Sequence, residues 1–377
     1  MGTTDDFFTL VVLSKPGADR LKQILEFHGV DVHLNDFSHA ATDDVVNAVE
    51  VRIPLKSLEI GLKILESGQL ASAPVSLMKM TGMGNSLLIP VDFSPASLTA
   101  VKLGFLIARK LNVEPIVLHA FVAPVFPSEP FGEDPDNPAL PPLEEEVQES
   151  QALYDIDARK LAKFKQQILK AQQDGSVTDI HFSTCILEGI PEQVIQEYCK
   201  QNKPILVVMA TRGVHKKEAD LVGSVTAEVI DSCRVPIFTV PENCSFEDLS
   251  RFKRILYFCT FSAADAFNLR GLMRISDFPA AQVSLLPVSD RPFDNVKSRL
   301  EDLANFFNQT YPTASFHAAA LSKGKFEDSL RDFLSNNKID LIIVPNKKSS
   351  AFTRFFRPTL AHRILFDKDI PLLVLPV

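Results

Sequence analysis

One stretch of this chain is written twice, and that constrains its fold more than anything else in the sequence. "SLLIPVDFSPASLTAVKLGFLI", starting at Ser86, aligns with "RILYFCTFSAADAFNLRGLMRI", starting at Arg254. The landmarks that follow keep step. Ser94 to His119 spans 25 residues, as does Ser262 to Pro287; Gly189 to Gly213 spans 24, as does Gly324 to Lys348; Gly223 to Pro236 spans 13, as does Pro358 to Pro371. One interval disagrees: His119 to Gly189 is 70 residues against 37 for Pro287 to Gly324. The excess of 33 falls where seven prolines crowd between Pro124 and Pro142. A repeated unit of this length is one fold built twice, here with an insertion in the first copy.

Each copy alternates short apolar runs with amphipathic stretches, the signature of a parallel sheet with helices on both faces. In the first copy the expected order is strand "SLLIPV", a helix entered through Ser94 as N-cap and Pro95 at its first position, and strand "PIVLHAF". The proline-rich excursion and helix "YDIDARKLAKFKQQILKAQQ" come next, then strand "DIHFSTCI", helix "PEQVIQEYCKQN", strand "PILVVMA", helix "SVTAEVIDSC" and strand "PIFTVP". The segment ahead of the repeats reads as strand, helix, strand, strand, helix, a small α+β unit, ending in the small and polar linker residues "ASAPVS" and "TGMGNS". The expected domains are 1–82, a small α+β (βαββα) domain; 83–242, the first α/β copy with its Pro-rich insertion near 122–150; and 243–377, the second copy.

A chain of 377 residues with 46% hydrophobic content can bury more than one core. Its net charge of -8, with no long basic stripe, argues against nucleic acid as a partner. No apolar run approaches the roughly 18 residues that cross a bilayer, and "MGTTDDFF" has no positive leader region, so a cytoplasmic protein without membrane contact is expected. The five cysteines form no CxxC pair and read as reduced thiols, and the eight histidines show no HxH or HExxH spacing, so no metal site is expected.

What chemistry the first copy carries turns on Ala210 to Val229. Holding a phosphate by backbone requires free N–H groups, a chain able to come close, and a helix N-terminus whose dipole favours negative charge. Gly223-Ser224 opens a helix, and Gly213 closely follows a strand end, where glycine permits a positive φ or close approach. In an open parallel sheet ligands collect beyond the carboxyl ends of the strands where the strand order reverses, so Asp92 at the end of one strand and Met209 to Gly213 after another are expected to face each other.

Taken together, "LLIPVDFSPAS", "VLHAF", "LEGIPEQVI", "LVVMATRG" and "GSVTAEVIDSCRVPIFTVP" resemble a universal stress protein domain, and the resemblance covers about 83–377 in two tandem copies. It implies an α/β fold of two tandem doubly wound, Rossmann-like parallel-sheet domains of the adenine nucleotide alpha hydrolase-like type. The nucleotide-binding branch of that family has G-x2-G-x9-G-[S/T]; this sequence has Ala210-x2-Gly213-x9-Gly223-Ser224, with the first glycine replaced. By position, the resemblance implies that Pro90, Val91 and Asp92 meet adenine and ribose, that Ala120 lines the adenine pocket, and that Met209 and Ala210 face the nucleoside. It places Gly213, Gly223, Ser224, Val225 and Thr226 on the phosphates. The implied ligand is ATP or AMP, with Mg as an optional companion.

The second copy keeps the spacing and loses these residues: Thr260 stands for Asp92, and the loop reads Pro345-x2-Lys348-x9-Pro358-Thr359, where Pro358 has no N–H to offer. Binding is not expected there. His119, at a strand end near the proposed site, reads as structural. Lys216 and Lys217 read equally as phosphate contacts or as solvated loop residues. "GMGNSL" precedes a strand where a dinucleotide fingerprint would follow one, and reads as linker. The expected function is a regulatory adenine-nucleotide-binding protein. An interaction scaffold, in which the two copies pair through their last strands "PIFTVP" and "PLLVLP", and a slow ATP hydrolase are the alternatives. A homodimer is left open. No residue is assigned as general base, and binding energy alone does not give turnover.

Overall fold

The computed structural model describes residues 7–37, 48–66, 84–122, 143–211, 224–242, 244, 249–261, 263–275, 281–287, 296–322, 326–346 and 370–376. The chain divides into two compact units: Asn85–Cys233 with Thr239–Glu247, and Met1–Gly84 with Arg234–Phe238 and Asp248–Val377.

The first unit holds β4 (Ser86–Pro90), α3 (Pro95–Leu111), β5 (Glu114–Phe121), α4 (Leu143–Gln173), β6 (Ser183–Glu188), α5 (Pro191–Asn202), β7 (Leu206–Ala210) and α6 (Ser224–Ser232). Its strands are parallel in the order β6-β5-β4-β7. Leu87, Leu88 and Ile89 are wholly buried, because a parallel strand covered on both faces is apolar throughout instead of alternating. The order reverses at β4, with β5 and β6 on one side and β7 on the other. A crevice therefore opens beyond the carboxyl ends of β4 and β7.

Helix α3 begins as the residues dictate. Ser94 is extended and its Oγ accepts from the Ser97 N–H at 3.1 Å, with Pro95 next; the helix closes on Asn112 at φ 54°. Its close seat on the sheet depends on Gly104, where a Cβ would stand 2.6 Å from Ile89 Cδ1. Helix α4 begins at Leu143, so "LEEEVQES", whose acidic run Glu144 to Glu146 reads in the sequence as a helix start, is helix. Once the prolines end at Pro142 nothing blocks a helix, and Glu144 to Glu146 suit the positive end of its dipole.

In the second unit β1 (Phe7–Ser14), β2 (His33–Phe37) and β3 (Ala48–Pro54) form an antiparallel sheet in the order β1-β3-β2, backed by α1 (Lys15–Phe27) and α2 (Leu58–Glu66). The same unit contains β9 (Arg254–Cys259), α7 (Ala263–Ile275), β10 (Gln282–Pro287), α8 (Lys297–Thr310), β11 (Ser315–Ala318), α9 (Phe326–Asn336), β12 (Leu341–Asn346) and β13 (Leu372–Pro376). These strands are parallel in the order β11-β10-β9-β12-β13, the first four matching β6-β5-β4-β7. The antiparallel sheet is seated on this repeat through α7 against β1 and α8 against the 3-10 turn Leu55–Ser57. Strand β8 (Ile237–Val240) is divided between the units at Phe238. The fold class is α/β, with doubly wound parallel sheets.

Candidate functional site

The end of β4 is tied by a short circuit of hydrogen bonds. The Val91 N–H continues the ladder to Leu118 O at 2.8 Å. Asp92 Oδ1 then accepts from the Ser94 N–H at 3.1 Å and from Ser97 Oγ at 2.6 Å, while the Asp92 N–H donates to Ser97 Oγ at 3.1 Å. Between them Phe93 takes φ 65°, a left-handed conformation uncommon for an aromatic residue. The circuit fixes a partly exposed carboxylate at the first turn of α3, where the helix dipole favours its charge.

Register brings the other strand ends beside it. Pro90 pairs with Leu118 and Leu88 with Val207. Continued along the strands, this sets Ala120 opposite Asp92 on β5 and Met209 opposite Pro90 on β7. Pro90, Ala120 and Ala210 are partly exposed, whereas Val91 and Met209 are buried at 6% and 4% exposure and contribute packing. Across the crevice, Thr226 is buried and its Oγ1 donates to Ala210 O at 3.0 Å. That hydroxyl, expected on the phosphates, spends its proton on the β7 strand end; what α6 has to offer an anion is the N–H groups of its first turn, Ser224 to Thr226, which an α-helix leaves without an intrahelical partner. Val225 is partly exposed there. Gly213, Gly223, the Ser224 side chain, Lys216 and Lys217 lie outside the described residues.

Sequence reasoning missed two members of the site, Ser97 and Phe93. The signal for Ser97 was its place three residues after the N-cap. For Phe93 it was recurrence, since Phe261 stands at the same place in the second repeat and takes φ 58°.

The second repeat inverts the chemistry of the circuit. Thr260 occupies the Asp92 position and Asp265 the Ser97 position, so hydroxyl and carboxylate have changed places. Asp265 is fully buried and accepts from Tyr257 Oη at 2.9 Å, the Thr260 N–H at 2.9 Å, Thr260 Oγ1 at 3.2 Å and Cys259 Sγ at 3.3 Å. Burial pushes the Tyr257 hydroxyl and the Cys259 thiol well above their usual ranges, and the neighbouring Asp265 charge adds to it. In the first repeat the acid is partly exposed; in the second it is fully buried. Lys348, Pro358 and Thr359 lie outside the described residues.

Among the described residues no group of three or more His, Cys, Asp or Glu side chains is arranged to hold a metal ion, and no helix is long and apolar enough to cross a membrane.

The family model for universal stress proteins matches residues 83–241. A universal stress protein of Methanocaldococcus jannaschii is 30% identical over 155 residues, 41% of this chain and 80% of that protein. The chain belongs to the universal stress protein family. A solved universal stress protein structure from Archaeoglobus fulgidus covers 78% of this chain and 98% of its own, at a TM-score of 0.54 and 16% identity. That likeness establishes the fold. The match at 83–241 takes in the whole candidate site, so Asp92, Ala120, Ala210 and the start of α6 belong to the universal stress protein region of the chain.

Proposed function

We propose that the first α/β unit binds an adenine nucleotide, ATP or AMP, and that the protein acts as a cytoplasmic regulatory nucleotide-binding member of its family. One observation carries the reading. The Asp92 carboxylate, Ala120 and Ala210 sit at the carboxyl ends of three adjacent parallel strands, at the reversal of strand order, with the first turn of α6 held to β7 through Thr226 and Ala210. The residues suit the ligand chemically. A carboxylate accepts from ribose hydroxyls, the small apolar Ala120 and the packed Val91 and Met209 suit a purine, and free N–H groups at a helix N-terminus suit phosphates. Gly213 and Gly223 would complete the phosphate end, and Mg would accompany a triphosphate there. Pairing of the two repeats through their last strands, and a homodimer, are proposed on sequence alone.

Calorimetric titration with ATP, ADP and AMP tests the site. A saturable one-site heat is expected for the wild-type chain, with affinity reduced ~10-fold or more in Asp92→Ala, as expected for loss of a charge-assisted hydrogen bond. Gly223→Glu should abolish binding by placing bulk and negative charge where the phosphates approach. No heat with millimolar nucleotide, or unchanged binding by Gly223→Glu, would overturn the proposal.

A further inference from the structure

His119 lies one residue before Ala120 on β5, and its side chain is only 12% exposed. Its Nδ1 stands 2.9 Å from Val91 O, and since a carbonyl can only accept, Nδ1 carries the proton. The carbonyl so held belongs to the peptide bond that leads into Asp92. On the other side of the ring, Nε2 is buried without a hydrogen-bond partner, 3.6 Å from Asp157 Oδ2 on α4, a contact in which the carboxylate attracts the ring when Nε2 carries a proton as well. Asp157 is itself anchored, its Oδ1 accepting from Lys160 Nζ at 2.6 Å. Burial works against the Asp157 charge, but Lys160 and His119 together outweigh it and hold the carboxyl below its usual range. The face of the imidazole lies against Phe93, ring centroids 4.2 Å apart, and Phe93 also meets Phe164 of α4 at 5.7 Å.

We propose that His119 is a positioning residue for the nucleoside end of the site, and that Asp157 orients His119, so that helix α4 is coupled to the strand end carrying Asp92. The affinity part of this inference rests on the nucleotide reading above; the coupling itself does not. The second repeat supplies the control. Phe261 keeps the left-handed turn, but the position of His119 is Pro287, and the Phe261 ring is covered by the Arg299 guanidinium at 4.7 Å. The turn therefore forms without an imidazole. In these two repeats the histidine bonded to the strand-end carbonyl occurs where the carboxylate is partly exposed and is absent where the acid is fully buried. A residue needed only to fill space beside the phenylalanine would have no reason to follow the carboxylate.

The test uses the full chain with His119→Phe, which keeps a ring but no donor, His119→Asn, whose amide N–H takes the place of Nδ1, and Asp157→Asn. Two quantities are read: amide hydrogen exchange at Asp92, Ser94 and Ser97 without nucleotide, and affinity for AMP. His119→Phe should speed exchange at those three amides and weaken AMP binding, each by about tenfold, the scale of one lost hydrogen bond. His119→Asn should recover most of both, and Asp157→Asn should move both in the same direction by less. If His119→Phe changes exchange evenly across the sheet and His119→Asn does no better, His119 is a packing residue and the inference is overturned. Wild-type behaviour of Asp157→Asn in both readings removes α4 from it. Should the wild-type chain bind no AMP, the nucleotide reading fails, and the exchange pattern still decides whether His119 positions Asp92.

Discussion

At the scale of single residues, Asp92 and Asp265 show the same hydrogen-bonded circuit built once around a partly exposed carboxylate and once around a fully buried one. A fully buried acid is tolerated only when donors fill its lone pairs, and Asp265 has donors from Tyr257, Cys259 and Thr260. That cluster makes a prediction about pH. Burial holds the Tyr257 hydroxyl and the Cys259 thiol protonated in the folded chain well above their usual ranges. In the unfolded chain they ionise at about 10 and about 8.5. A folded pKa raised above the unfolded one contributes stability that is complete below the unfolded value and is lost as pH rises past it, because only the unfolded state then releases the proton. The urea midpoint of the wild-type chain should therefore fall from pH 8 to pH 10.5, and the double variant Tyr257→Phe, Cys259→Ala should show a shallower fall. Equal slopes in the two proteins would refute the account.

At the scale of elements, the start of α3 joins fold to site, because Ser94, whose hydroxyl caps the helix, holds Asp92 through its N–H, and the Ser97 hydroxyl holds Asp92 as well. Ser94→Ala removes one acceptor from the first turn and should cost about 1 kcal/mol of stability. Ser97→Ala should cost more, since its Oγ both accepts from the Asp92 N–H and donates to Asp92 Oδ1. Denaturant midpoints check both, and equal losses would show that the Asp92 circuit adds nothing. This helix start was legible in "SPAS", as were the buried strands, because caps and continuous apolar runs are local signals. Strand β6 was less so: "DIHFSTCI" reads as strand from Asp179, but the strand begins at Ser183. The cause is tertiary, Gln172 Nε2 holding the carbonyls of Thr178 and Ile180 and tying that stretch to the end of α4. In the candidate site, Asp92 and Ala210 were picked out because strand ends at a reversal of order have a known use, and Ala120 by the family resemblance. The left-handed Phe93 and the reach from His119 to Asp157, 38 residues away, were not. No local pattern marks a positive φ at phenylalanine, and a strand-to-helix contact across an insertion leaves no periodicity to read.

At the scale of the whole molecule, one strand order occurs twice but the residues proposed to hold the ligand occur once. If strand order and loop length sufficed for binding, both repeats would bind, since the second keeps the spacing from Pro345 through Lys348 to Pro358. If the residues decide, only the first does: it has a partly exposed carboxylate and glycines at 213 and 223, whereas the second has Thr260, a buried Asp265 and a proline at 358. The expected stoichiometry is thus one nucleotide per chain. Native mass spectrometry at saturating ATP or AMP should show a single adduct, and Asp92→Ala should remove it without exposing a weaker second one. Replacing Lys348 and Pro358 by glycine should leave the count at one, because the loop would be restored while the acid stayed buried under Tyr257 and Thr260. Two adducts on the wild-type chain would mean that the shared geometry governs binding and that the position of the acid does not.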